Sequence, residues 1–145
     1  MVKRKLVLAE FLPYQLSITS NAISDLIARA YRGRFALKIP EWRLMAVLGE
    51  VSSATQRELV AATAMDKVTV NRASKALEDR FLIGRAPNAA DGRSHHLALT
   101  DTGRELYEQI VPLALSVEAE LVNSIEPKAL EAMLARLRAR VDELG

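Results

Sequence analysis

Between Lys67 and Lys75 the chain sets hydrogen-bonding and cationic side chains at helical spacing: Lys67, Thr69, Asn71, Arg72 and Lys75. These types suit one kind of work. Threonine and asparagine exchange hydrogen bonds with base edges, arginine forks onto a guanine or a phosphate, and lysine neutralises phosphates. Arg85, Arg93 and His95 gather just downstream around Pro87-Asn88-Ala89-Ala90-Asp91-Gly92, where a basic hairpin tip could lie along a minor groove and Asp91 would shape the turn. Covalent chemistry has no comparable signature. His95 and His96 are adjacent on a predicted strand, so they point to opposite faces and cannot jointly hold a metal. There is no cysteine, no glycine-rich phosphate loop and no cluster of metal ligands. No catalytic residue, metal site or cofactor is expected, and an enzyme is the weakest of the functional classes considered.

The elements that must position these residues follow from periodicity and caps. Asp66 is placed to cap a helix running to about Leu82, with Val70, Ala73, Leu77 and Phe81 recurring every three or four residues and so facing a core. Gly84 breaks that period. Ile83 to Ala86 and His95 to Leu99 then read as two short strands around the turn, the one β signal found in the chain. Upstream, Thr55-Gln56-Arg57-Glu58 is a capping box for a short helix. Pro40 opens another, with Leu44, Met45, Val47 and Leu48 inward, and Pro13 sits in the first turn of a long one from about Leu12 to Phe35. Downstream, Thr100 caps a helix with Leu106, Ile110, Leu113, Val117 and Leu121 on one side, and Pro112 inside it predicts a kink. Pro127 opens the last helix, striped by Leu130, Met133, Leu134, Leu137, Val141 and Leu144.

At 145 residues the chain has the size of one well-cored domain. Its formal charge of +2 is divided unevenly, at +4 over residues 1–54, +2 over 55–100 and −4 over 101–145, which keeps the acidic excess away from the candidate reading helix. No apolar run approaches the length of a membrane span, and the first residues lead into an amphipathic stretch, so a soluble, cytoplasmic protein without membrane contact is expected. Without cysteine, a disulfide scaffold or a thiol redox sensor is excluded.

The run from Pro40 to Gly103 resembles the winged-helix core of MarR-type transcriptional regulators. The matching residues are Trp42-Arg43-Leu44-Met45-Ala46-Val47-Leu48, Asp66-Lys67-Val68-Thr69-Val70, Asp91-Gly92-Arg93, and Leu97-Ala98-Leu99-Thr100-Asp101-Thr102-Gly103. The fold class that follows is mainly α with a small β-hairpin wing: a winged helix-turn-helix lobe over about 40–100 and a dimerisation lobe from about 6–36 and 101–145. The resemblance implies a homodimer, a pseudo-palindromic double-stranded DNA operator, and repression relieved by a small ligand held between the two lobes. One departure is Phe81, where the family usually has glycine.

The dimer has a second argument. Leu6, Val7, Leu8, Phe11 and Leu12 at one end and the last helix's stripe at the other form more apolar surface than a monomer of this size covers. A two-fold axis would bury it and set two reading helices about 34–36 Å apart, one turn of DNA. For the ligand, Ser17, Asn21, Trp42 and Arg43 combine an aromatic wall with polar groups suited to a small aromatic or phenolic acid. The other reading kept open is a winged-helix module that binds protein and never DNA, since fold does not dictate function.

Overall fold

The computed structural model describes residues 2–86 and 95–145, so Asp91, Arg93 and the Pro87–Gly92 turn lie outside the described residues. After a 3-10 turn at Leu8–Glu10, the order is α1 (Leu12–Phe35), α2 (Ile39–Glu50), β1 (Ala54–Thr55), α3 (Gln56–Thr63), α4 (Lys67–Asp79), β2 (Ile83–Arg85), β3 (His96–Leu99), α5 (Asp101–Leu121) and α6 (Pro127–Leu144). The chain is mostly helical with one small antiparallel sheet, the winged-helix arrangement expected from its sequence.

Local chemistry starts and stops these helices. The Thr55 hydroxyl accepts from the Glu58 amide at 3.1 Å while a Glu58 carboxylate oxygen accepts from the Thr55 amide at 3.4 Å, completing the box at the head of α3. The Thr100 hydroxyl accepts from the Gly103 amide at 3.0 Å and donates to the Phe81 carbonyl at 2.6 Å, so one side chain caps α5 and ties it to the entry of β2. α1 and α3 end on Ala36 and Ala64, both in the left-handed region. α5 continues as one helix through Pro112.

The strand order is β1-β3-β2. β2 and β3 pair as Ile83↔Leu99, Gly84↔Ala98 and Arg85↔Leu97, and β1 adds Ala54↔Leu97 and Thr55↔His96. Strand β1 corrects the expectation of a single hairpin: two residues carry no alternation to detect, and their partner lies some forty residues away.

The core is built on α2, from Leu44, Met45 and Leu48, closed by Leu59 of α3, Val70 and Leu77 of α4, Leu82, Ile83 and Leu97 around the sheet, and Ile110 of α5. α1 contributes Ala28, Tyr31 and Phe35, all from its C-terminal half, and lies along α5. Phe81 is the second correction. α4 stops at Asp79, Phe81 takes a left-handed φ of 57° and is 78% exposed, and Leu82 fills the core position instead. The chain has to reverse there to enter β2, and the reversal turns residue 81 outward.

Candidate nucleic-acid interface

α4 presents two different faces. Val70, Ala73, Ser74 and Leu77 are buried, while Lys67, Asn71, Arg72 and Lys75 are exposed and Thr69 is half-buried. Among the described residues none of Lys67, Arg72 and Lys75 is engaged in an ion pair, so the three form a row of cations. At its head, Asp66 accepts from the Thr69 amide at 2.8 Å and from the Thr69 hydroxyl at 2.9 Å. Those bonds, the amide first, hold the Asp66 carboxyl below the usual aspartate range. They also commit the Thr69 hydroxyl proton to the cap. Thr69 therefore keeps an acceptor lone pair and a methyl group for any ligand, but no donor.

Neighbouring elements frame this helix. A cleft of about 250 Å³ runs from Lys38, Pro40 and Glu41 at the start of α2 to Thr69, Arg72, Ala73 and Ala76. On the other flank, about 400 Å³ lies between Gln56, Arg57, Val60 and Lys67. Gln56 crosses from α3 to donate to the Ser74 hydroxyl at 3.0 Å, fixing the angle between the two helices. Lys38 and Arg57 thus extend the cationic surface on both sides of α4. Sequence reasoning missed them because their proximity is a product of packing.

From the wing, Arg85 is exposed at the end of β2 and His95 is exposed just before β3. Arg93 and Asp91, singled out from the sequence for the same region, belong to the residues outside the description. His96 is half-buried, and its Nδ1 has no partner among the described residues. Among the described residues no group of His, Asp and Glu is disposed to hold a metal, and no helix is long and apolar enough to cross a membrane.

A separate cleft of about 160 Å³ opens between α1 and α2, lined by Ser24, Ile27, Tyr31, Ile39, Trp42 and Arg43. Two of its lining residues, Trp42 and Tyr31, have ring centroids 5.6 Å apart, and Trp42 is also stacked 6.0 Å from Tyr107 of α5, which does not line the cleft. Trp42 and Arg43, two of the candidate ligand residues named from the sequence, both line this cleft. Ser17 and Asn21 are exposed on the same stripe of α1, about two turns and one turn before Ser24 respectively, and are not among the lining residues.

Comparison with known proteins agrees with this geometry. A model of the MarR family matches residues 37–94. The HTH-type transcriptional repressor NicR of Pseudomonas putida is 28% identical over 98 residues, covering 68% of this chain and 62% of that protein's own length. Among solved structures, a MarR/EmrR family transcriptional regulator from an Acinetobacter species superposes with a TM-score of 0.85 at 27% identity, covering 95% of this chain and 99% of its own. BpsR of Bordetella bronchiseptica, whose DNA binding is regulated by 6-hydroxynicotinic acid, has a TM-score of 0.81 at 22% identity over 96% of this chain and 99% of its own. These relatives are transcriptional regulators, not enzymes.

Proposed function

The chain belongs to the MarR family of transcriptional regulators, and from that premise we propose that it is a ligand-responsive repressor that binds a pseudo-palindromic DNA operator as a homodimer. The observation that carries the proposal is the division of α4 into a buried side and an outward side bearing Lys67, Asn71, Arg72 and Lys75. A capped helix with this face can enter a major groove about 12 Å wide, its amide-bearing end adding a partial positive charge. Arg72 and Asn71 would read bases, Lys67 and Lys75 would hold phosphates with help from Lys38 and Arg57, and Arg85, His95 and Arg93 would serve the wing.

Support for the dimer comes from the ends of the chain. α6 has no buried residue, and its Met133, Val141 and Leu144 are each more than 60% exposed, as is Leu6 near the start of the chain. A second copy meeting these surfaces about a two-fold axis would bury them and set the two α4 helices for successive major grooves. The effector is placed in the α1–α2 cleft, where Tyr31 and Trp42 offer ring faces and Arg43 can pair with a carboxylate. An aromatic acid of the kind named for BpsR fits that chemistry, and quenching of Trp42, the one tryptophan of the chain, reports its binding directly.

A salt titration tests the DNA reading. Three α4 cations on each of two protomers give a slope of about −5 for log affinity against log salt, and Arg72→Ala lowers operator affinity about tenfold to a hundredfold while the protein stays folded. Absence of binding to duplex DNA even at low salt would identify the protein-interaction module instead.

A further inference from the structure

In the middle of the polar face of α4 stands an apolar residue. Val68 is 59% exposed, and it lies three, four and seven positions before Asn71, Arg72 and Lys75, so all four side chains form one outward stripe. It cannot serve the core, because Val70, Ala73 and Leu77 point the opposite way and are buried. We infer that Val68 determines sequence specificity by seating against the C5-methyl group of a thymine in the major groove.

This inference rests on reading α4 as the DNA-contacting helix. Within that reading the chemistry narrows quickly. The major-groove edges of the four bases carry hydrogen-bond donors and acceptors and a single apolar group, the thymine methyl. Val68 is flanked by Lys67 and Arg72, which would hold phosphates or guanines nearby, so its own partner has to be a base edge in the groove and not the charged backbone. Being β-branched, its χ1 is stiff on a helix and its two methyl groups are presented in a fixed direction at little entropic cost. Asn71, one turn on, is suited to pair in bidentate fashion with adenine. Together the two residues favour an A·T-rich step under each reading helix. An apolar protein surface docking here would have to accept the surrounding Lys67, Arg72 and Lys75 without offering phosphates to them.

The test begins with selection of an operator from a random duplex library by the full-length protein. Each thymine of that operator is then replaced by deoxyuridine, which removes only the methyl group, and affinity is measured by fluorescence anisotropy for wild type, Val68→Ala and Val68→Ser. One thymine per half-site is expected to be sensitive: its loss weakens wild type about fourfold, and about fifteenfold when both half-sites are changed, the worth of one buried methyl group in each. The same replacement leaves Val68→Ala and Val68→Ser unaffected. Because Val68 is exposed, both variants should unfold at the wild-type midpoint, which circular dichroism checks. Operator binding that is indifferent to uracil at every thymine, or equally sensitive in the variants, overturns the role of Val68 while leaving α4 as the reading helix. Failure of the wild type to select any sequence overturns both.

Discussion

A methyl group added at Gly103 would stand 1.9 Å from the carbonyl oxygen of Leu82 and 2.8 Å from its carbonyl carbon. Both are backbone atoms of the segment entering β2, and the same oxygen accepts from the Thr100 amide at 3.0 Å. Ordinary carbon–oxygen contacts lie near about 3.3 Å, so Gly103→Ala requires the first turn of α5 and the foot of the wing to part by more than about 1 Å. Overpacking of this kind costs about 1–3 kcal/mol. Parting also strains the Gly103 amide bond to the Thr100 hydroxyl and the Thr100 bond to Phe81, each worth about 1 kcal/mol. Alanine's better helix propensity returns about 0.8 kcal/mol. The net loss is about 3 kcal/mol, or a fall in Tm of about 6–12 °C for a chain of this length.

Two further glycines calibrate the measurement. At Gly33, on the solvent side of α1, an added methyl meets no atom within 4 Å, so Gly33→Ala should stabilise by about 0.5–1 kcal/mol. At Gly49 the methyl would strike the Tyr107 ring at 2.2 Å, but a ring can swing where a backbone cannot: overpacking and loss of the Trp42–Tyr107 stack together cost about 2 kcal/mol, alanine's helix propensity returns about 0.8 kcal/mol, and Gly49→Ala should cost about 1 kcal/mol net. Thermal unfolding followed by circular dichroism at one fixed protein concentration, to hold any self-association constant, should rank the proteins Gly33→Ala, wild type, Gly49→Ala, Gly103→Ala. A Gly103→Ala midpoint within 1 °C of wild type, measured on a scale where about 1 kcal/mol moves Tm by 2–4 °C, would refute the backbone-clash reasoning.

Two shorter predictions concern the ends of α4. Asp66 has its native pKa depressed by the Thr69 amide and hydroxyl, so the stability it adds is complete above the unfolded-state value and is lost as pH falls through the lower native value. The gap in unfolding midpoint between wild type and Asp66→Asn should accordingly narrow below about pH 4; a gap unchanged from pH 7 to pH 3 contradicts it. At the other end, the Arg80 guanidinium donates to the Ala36 carbonyl at 2.9 Å and to the Phe35 carbonyl at 3.0 Å, joining the end of α4 to the end of α1. Arg80→Ala should cost about 1–2 kcal/mol, and Arg80→Lys should recover little, because one ammonium cannot reproduce the planar fork. Urea unfolding of the pair decides it: equal midpoints for wild type and Arg80→Ala would mean that water replaces the guanidinium without loss.

What was legible in the sequence is what acts over three or four residues. The caps at Thr55, Asp66 and Thr100 each pair a side chain with an amide three positions on, and all three form. The apolar stripes of α2 and α4 were legible for the same reason, except at Phe81, where the period continues locally but the chain must turn. Contacts across the fold left no such mark. β1 forms because β3 comes to it, Arg80 finds carbonyls 44 and 45 residues away, and Lys38 and Arg57 join the cationic surface through the packing of α2 and α3 on α4. The α1–α2 cleft behaves likewise: Trp42 and Arg43 meet Ser24 and Tyr31 because of where α1 crosses α2, while Ser17 and Asn21 share the stripe of α1 but sit too far along it.

The same distinction changes how α4 should be read as a recognition element. From sequence, Thr69, Asn71 and Arg72 stand as equivalent readers, since each can hydrogen-bond a base. In the structure Thr69 has already spent its hydroxyl proton on Asp66, the bond that also helps start the helix, so any substitution freeing that hydroxyl would weaken the cap. Positions 68, 71, 72 and 75 are left as the unencumbered outward stripe. A reading surface made of Val68, Asn71, Arg72 and Lys75 selects differently from one led by threonine: it rewards a thymine methyl beside an adenine and a guanine or phosphate within reach of arginine. Thr69→Ser therefore separates the two arrangements, because serine keeps the cap and the acceptor but lacks the methyl group. If Val68 is the apolar reader, Thr69→Ser should leave the uracil sensitivity of the operator in place, whereas Val68→Ala should abolish it.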